Sequence, residues 1–227
     1  GNRYFGIELE IDGAGRDDDF AEELLDIANT HADLLYIKTD GSLDDGMELV
    51  SHPCTMNYHI NEFPWEDIMH RAVRQGYRSH QTSTCGLHLH VNRSAFSDNQ
   101  EEQDEVISRI LYFVEHHWNE LLKFSRRSEY TMNRWAARYG YEHTPKAIMD
   151  KAKKGGNGRY AAVNLCNYHT VEFRLFRGTL KYNTFIATIQ LVNRICDAAM
   201  YNTDDSIAKL SWSDFVADIT EPELIQY

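Results

Sequence analysis

The sequence predicts an α+β fold in which a mainly antiparallel sheet is backed by helices. Residues 4–12 alternate between apolar and other side chains, as expected for a half-buried strand. Short strands at 34–38 and 46–51, and again at 159–166 and 170–176, lie close enough along the chain to form hairpins. This order of elements differs from the strict strand–helix alternation of a doubly wound parallel sheet.

The remaining elements follow from spacing and end signals. A further strand is predicted at 84–92, and helices are predicted at 19–30, 64–77, 98–124 and 183–201. The first helix has acids in its first turn, the second begins at a proline, and the third has apolar residues at helical spacing. Residues 125–158 are predicted to be partly helical. They end in a basic, glycine-rich loop, which is either a mobile lid or a flexible turn. His59 is assigned to a loop, His116 and His117 to a helix surface, and the residues after 201 to an irregular tail.

Composition limits the functional classes. The chain has 227 residues, 42% hydrophobic and 26% charged, which is typical of one globular domain. A net charge of −12 argues against nucleic acid or an anionic membrane as the main partner, and no apolar run reaches the length of about 18 residues that a membrane span needs. Four cysteines without a CxxC pair indicate free thiols in a reducing, cytoplasmic setting. The oligomeric state stays open.

Ionisable side chains occupy alternate positions in four predicted strands, within "GIELEI", "GMELV", "GLHLHV" and "TVEFRL". Residues two apart in a strand share a face, so each of these strands has one apolar face and one ionisable face. If the strands share a sheet, the following residues converge: Glu8, Glu10, Glu48, His88, His90, Glu172 and Arg174. A solvated face is normally filled by Thr, Lys, Ser and Gln, so we reject that interpretation.

The carboxylates in this set indicate a metal site. Closely packed carboxylates repel each other and take up protons unless a cation neutralises them. A site rich in carboxylates with a minority of histidines suits Mg²⁺ or Mn²⁺ better than Zn²⁺. Adjacent carboxylates can also be divided between two ions that neutralise a transferring phosphoryl group.

The order of these motifs resembles the glutamine synthetase and glutamate–cysteine ligase superfamily, above all its branch of amidoligases (carboxylate–amine ligases). The resemblance covers roughly residues 5–180 and is carried by "FGIELE" (5–10), "DGSLDDGMELVSHP" (40–53), "CGLHLHV" (85–91) and "VEFRLFRGTL" (171–180). It implies one glutamine-synthetase-like catalytic domain over residues 1–227, with a concave catalytic face that binds ATP and two or more divalent ions.

The resemblance also implies roles for single residues. Glu8, His88 and Glu172 would hold the ion nearer the γ-phosphate, and Glu10 and Glu48 would hold the ion on the substrate side. These five residues are therefore the expected metal ligands, with Mg²⁺ or Mn²⁺ as the metal.

Basic residues complete the expected site. His90 would contact a nucleotide phosphate, Arg174 would steady the phosphate during transfer, and Arg159 and Arg177 are candidate phosphate or substrate ligands. A second arginine cluster, of which one or two members are expected to reach the cleft, consists of Arg126, Arg127, Arg134 and Arg138. The large synthetases use a further glutamate near the Glu48 position, for which the candidates here are Asp40, Asp44 and Asp45.

The resulting hypothesis is an ATP-dependent carboxylate–amine ligase that forms an amide through an acyl phosphate. Its expected substrates are a carboxylate and an amine, each a small molecule or a peptide. Three alternatives stay open: a metal-dependent phosphotransferase on the same fold, a zinc hydrolase that uses the HxH pair and a glutamate, and a non-catalytic nucleotide or metal binder.

Overall fold

The computed structural model describes residues 1–38, 46–80, 84–155 and 158–227. Within these residues, six strands form one sheet in which every neighbouring pair is antiparallel, in the order β2-β3-β1-β4-β6-β5. The strands are β1 (Phe5–Ile11), β2 (Leu35–Lys38), β3 (Met47–Ser51), β4 (Gly86–Asn92), β5 (Val163–Asn164) and β6 (Thr170–Arg177). The α+β prediction with a mainly antiparallel sheet is confirmed.

Eleven α-helices accompany the sheet in the described residues. They are α1 (Asp18–Ala28), α2 (Met56–Asn61), α3 (Trp65–Gln75), α4 (Gln100–His116), α5 (Trp118–Ser125), α6 (Glu129–Trp135), α7 (Pro145–Lys153), α8 (Tyr182–Tyr201), α9 (Asp204–Lys209), α10 (Trp212–Ala217) and α11 (Pro222–Ile225). None of the helices in the described segments is both long and apolar enough to cross a membrane.

Several predicted boundaries were wrong. The helix predicted at 98–124 is two helices that meet at His117, and α2 was not predicted. The strand predicted at 159–166 is reduced to the two residues of β5, because a 3₁₀ turn at Gly158–Tyr160 takes up its first part. The C-terminal tail consists of three short helices. Residues 156 and 157 of the glycine-rich loop lie outside the described part of the chain.

The apolar face of the sheet forms the core and fixes the strand register. Ile7, Leu9, Leu87 and Leu89 are 0% exposed and belong to one hydrophobic cluster that includes residues of α8. Burying each such side chain contributes about 1.5–3 kcal/mol. A slip of one residue would exchange the two faces of a strand, so this core holds the ionisable side chains on the opposite face.

A β-bulge in β6 lies opposite His88. Leu87 pairs with Phe176 while Leu89 pairs with Phe173, so two residues of β6 occupy the space opposite one residue of β4. Both phenylalanines are 0% exposed, and both pair with leucines of the apolar face. The bulge therefore shifts the alternation of β6 by one residue.

This shift places Arg177 on the ionisable face together with Arg174. Arg174 lies in the bulge, next to the core residue Leu175, and Arg177 beyond the bulge pairs with Gly86. With strict alternation after Arg174, the side chain of Arg177 would point into the core. The bulge therefore allows two arginines that are three residues apart in sequence to share one face of the sheet.

Candidate active site

Three predicted metal ligands meet at the centre of the sheet. Glu8 on β1 pairs with His88 on β4, and Glu172 lies on the next strand, β6. One ligand atom from each of the three lies within 4.8 Å of the other two. Nδ1 of His88 is 3.4 Å from Oε2 of Glu8 and 3.5 Å from Oε1 of Glu172. Two carboxylate oxygens and one imidazole nitrogen at this spacing fit a divalent cation such as Mg²⁺ or Mn²⁺.

His90 lies beside the same two carboxylates. Its Nε2 is 3.3 Å from Oε1 of Glu8 and 3.7 Å from Oε1 of Glu172, with which it is paired across the strands. Its Nδ1 is 3.2 Å from the hydroxyl oxygen of Thr170. Nε2 is buried, and these two carboxylate groups are the acceptors that face it.

The electrostatic environment differs between the two histidines. Burial lowers the pKa of His88, and the charge of Arg174 acts in the same direction, which outweighs the hydrogen bond to Glu8. For His90, burial is outweighed by the hydrogen bond to Glu8 and by the charges of Glu172 and Glu8, so its pKa is raised. Burial would raise the pKa of Glu8, but its hydrogen bonds to both imidazoles lower it well below the usual range. His88 is thus favoured as a neutral ligand and Glu8 as a carboxylate.

Glu172 is held by partners on both of its oxygens. Asn164, its cross-strand partner on β5, donates from Nδ2 to Oε2 at 2.8 Å. Arg174 donates from Nη1 to Oε1 at 2.8 Å. Oδ1 of Asn164 accepts from the backbone N–H of Cys166 at 2.9 Å, which fixes the orientation of the amide. Asn164 was not predicted as a site residue.

Arg174 contacts both the carboxylate of Glu172 and the ring of Tyr160. Besides Glu172, its Nη1 lies 3.5 Å from Nδ1 of His88, and its guanidinium lies 5.7 Å from the ring centre of Tyr160. Nε of Arg174 is buried without a hydrogen-bond partner in the described segments. Arg159 also lies over Tyr160, at 4.9 Å, and donates to its hydroxyl at 2.8 Å. Arg159 was predicted to open a strand, but it lies in the 3₁₀ turn before β5.

Glu10 and Glu48 face each other across β1 and β3. Oε1 of Glu10 lies 4.0 Å from Nε2 of His88, so this carboxylate adjoins the ring atom that points away from Glu8. Among the described residues, the group of three ligands contains neither Glu10 nor Glu48. The predicted substitutes for a further ligand, Asp40, Asp44 and Asp45, lie outside the described residues.

Arg127 from the second arginine cluster reaches the site. A Cβ atom at Gly86 would lie 2.6 Å from Nε2 of His88 and 2.7 Å from Nη2 of Arg127, so the glycine leaves room for both groups. Burial lowers the pKa of Arg127 to about 10, against the charge of Glu10, so the side chain stays charged at neutral pH. Its buried Nη1 has no hydrogen-bond partner within the described part of the chain.

The other members of that cluster have other contacts. Arg138 forms an ion pair of 2.7 Å with Glu115, and Arg134 lies over the ring of Trp135. The backbone carbonyl of Arg126 accepts a hydrogen bond from Nη1 of Arg177 at 3.3 Å.

A known protein family matches most of the chain. Residues 22–196 match the family described as "Putative amidoligase enzyme", which is more than half of the chain. The chain belongs to this amidoligase family. The matched range of the amidoligase includes His88 and Glu172, whereas Glu8 and Glu10 precede it and reach the site because β1 lies between β3 and β4. A search of curated proteins gave no match.

Proposed function

We propose that this amidoligase joins a carboxylate to an amine, with ATP as the source of free energy. One observation carries the proposal: a cluster of carboxylates and imidazoles adjoins guanidinium groups on the same face of the sheet. Oε1 of Glu172 lies 2.8 Å from Nη1 of Arg174, and Glu172 also belongs to the candidate cation site. A nucleotide triphosphate with its divalent ion needs both kinds of group side by side.

In this proposal Glu8, His88 and Glu172 hold one Mg²⁺ or Mn²⁺, and Glu10 and Glu48 are the candidate ligands of a second. Such ions, when bound, neutralise charge on the β- and γ-phosphates. The fit rests on the spacing and the donor types, and on the buried position of His88 and Glu172, which are 6% and 5% exposed.

The basic residues of the proposed site bind and orient the phosphates. Arg174 and Arg127 each have a buried nitrogen without a hydrogen-bond partner in the described residues, and a phosphoryl oxygen would satisfy it. His90 is favoured in its charged form and offers Nε2 as a further donor. Arg177 and Arg159 extend the positive charge along the face. Fixed donors of this kind stabilise the charge that develops on a transferring phosphoryl group.

The proposed reaction has two steps. An oxygen of the substrate carboxylate attacks the γ-phosphorus, the bond to the bridging oxygen breaks, and ADP leaves with that oxygen. The amine nitrogen then attacks the acyl carbon of the acyl phosphate. Phosphate leaves with one original carboxylate oxygen, and the nitrogen loses a proton. The protein contributes mainly position and charge neutralisation. The proposed substrates are small-molecule or peptide carboxylates and amines.

The experiment follows the carboxylate oxygen. Pools of ¹⁸O-labelled carboxylates and of amines are incubated with the protein, ATP and Mg²⁺ or Mn²⁺. We expect phosphate release that depends on both pools and phosphate that contains ¹⁸O. Turnover should fall on the order of 10²–10³-fold in Glu172→Gln, whereas Glu101→Gln on α4 serves as the matched control and should keep full activity.

Other outcomes would contradict the proposal. Unlabelled phosphate would exclude the acyl phosphate. A stable phosphorylated product would indicate a phosphotransferase on the same fold. Tight, stoichiometric Zn²⁺ binding without any Mn²⁺ binding would favour the hydrolase.

A further inference from the structure

A second cleft lies between α5, α8 and the C-terminal helices α10 and α11. Its volume is about 610 Å³, and none of the active-site residues described above lines it. The walls are mostly apolar, formed by Phe124, Leu191, Trp212, Val216, Ile219, Leu224 and Ile225. The polar lining residues are Glu120, Lys123, Arg126 and Tyr227. A cleft of this size with apolar walls and few polar groups is typical of a small-molecule site.

Arg126 gives this cleft its chemical character. Two of its guanidinium nitrogens, Nε and Nη2, are buried and have no hydrogen-bond partner among the described residues. Burial lowers the pKa of Arg126 against the opposing effect of Tyr227, and the nearby charge of Arg177 also lowers it. Buried guanidinium nitrogens without an acceptor are costly, so these two nitrogens require an explanation.

The backbone at Arg126 is also unusual. Its φ angle is 59°, and it is the one non-glycine residue with positive φ in the described segments. A side chain in this left-handed conformation is strained, which glycine avoids. Arg126 thus occupies the end of α5 at a cost in backbone energy, and its guanidinium lines the cleft.

The charges around the cleft favour an anion. Lys123 adds a second cation, and Glu120 is the one acidic residue among the lining residues described. In a protein with a net charge of −12, a local excess of positive charge selects anionic ligands. We propose that this cleft binds an organic anion with an apolar body, whose acid group accepts hydrogen bonds from Arg126. The proposal does not rest on the proposed ligase activity.

Two fluorescent probes that differ by one acid group test the proposal on the full chain. The anionic probe is 8-anilinonaphthalene-1-sulfonate, and the uncharged probe is N-phenyl-1-naphthylamine. We expect one saturable site that binds the sulfonate at least about tenfold more tightly, since hydrogen bonds between charged groups are stronger than those between neutral groups.

Variants locate the site. Arg126→Gly removes the guanidinium and suits the left-handed backbone, so it should abolish the preference for the sulfonate without changing binding of the neutral probe. Val216→Trp should fill the cleft and weaken both probes. Arg134→Gln, at an exposed arginine on α6, is the matched control and should change neither affinity.

A near-UV circular dichroism spectrum like that of the intact protein shows that a variant is folded. If Arg126→Gly does not fold, Arg126→Gln replaces it. Equal affinity of the intact protein for both probes would overturn the proposal. A sulfonate preference that survives the loss of the guanidinium would also overturn it, as would binding that Val216→Trp leaves unchanged.

Discussion

Asn164 and Glu172 are cross-strand partners on β5 and β6, and the amide of Asn164 donates to Oε2 of Glu172 at 2.8 Å. The other carboxylate oxygen, Oε1, accepts from Arg174 and lies 3.5 Å from Nδ1 of His88. Asn164 therefore orients the carboxylate from the side away from His88. Residues that orient a ligand in this way tune metal affinity without touching the metal.

The first prediction tests Asn164 as a positioning residue. Asn164→Ala should weaken Mn²⁺ binding about 10–100-fold, because Glu172 loses the partner that fixes its orientation. Binding is measured by titration calorimetry well below the melting temperature, since the backbone N–H of Cys166 also loses its acceptor and stability should fall by about 1–3 kcal/mol. Asn61→Ala on α2 is the control. Unchanged Mn²⁺ affinity in folded Asn164→Ala would show that Asn164 has a structural role only.

The second prediction concerns the space above Gly86. A Cβ at this position would displace Nε2 of His88 and Nη2 of Arg127, which are the far ends of side chains, so Gly86→Ala should fold but lose affinity for Mn²⁺ and nucleotide. Gly6→Ala is a matched control on the same face, because its Cβ would meet only Cβ of His90 at an ordinary 3.5 Å.

A double-variant cycle identifies which contact matters. The effects of Gly86→Ala and Arg127→Gln on nucleotide affinity should be non-additive, since the two groups occupy the same space. Additive effects, or full affinity in Gly86→Ala, would mean that the guanidinium is not held above the glycine in solution.

The third prediction separates phosphate binding from metal binding. Arg127→Gln should weaken binding of a non-hydrolysable ATP analogue on the order of 10–100-fold, because a charged donor to a phosphate is lost. Mn²⁺ affinity without nucleotide should not fall, as Arg127 repels cations. Arg134→Gln is the control, and both affinities come from calorimetry. Equal nucleotide affinity in Arg127→Gln and the intact protein would mean that Arg127 balances the charge of Glu10 and does not bind the nucleotide.

The parts of the site that depend on local alternation of side chains could be predicted from the sequence. Alternation in β1 and β4 puts Glu8 and His88 on the face opposite the leucines, and the structure brings them together through direct cross-strand pairing. Glu172 follows the same rule, because it precedes the bulge in β6. The strand period of two is a property of a few neighbouring residues, so it can be read from the sequence.

Other parts depend on tertiary contacts that have no local signal. Arg177 reaches the ionisable face because β6 contains an extra residue, and a bulge is a relation between two strands. Asn164 and Arg127 become site residues through elements that come together only in the fold. His117 was predicted to lie on a helix surface, but it is 4% exposed at the junction of α4 and α5.

His59 was assigned to a loop, yet it lies in α2 and is 0% exposed. Its Nε2 lies 2.8 Å from the carbonyl oxygen of Phe5, and its Nδ1 accepts from the indole N–H of Trp65 at 3.1 Å. The rings of Phe63 and Trp65 stack beside it. These partners fit the neutral tautomer with hydrogen on Nε2, because a proton on Nδ1 would face another donor.

The last prediction follows from this arrangement. Burial lowers the pKa of His59 to about 4, against the hydrogen bond to Phe5, whereas the unfolded chain binds this proton near the ordinary value of about 6.5. The contribution of His59 to the free energy of unfolding should therefore be level above pH 6.5 and fall by about 3 kcal/mol as the pH decreases to about 4. His117, whose pKa burial also lowers to about 4, should add a loss in the same range. Urea unfolding of His59→Gln across this range should show a shallower slope than the intact protein, and His31→Gln, at an exposed position, should not. An identical slope in His59→Gln would mean that His59 is already protonated in the folded protein or that water reaches it.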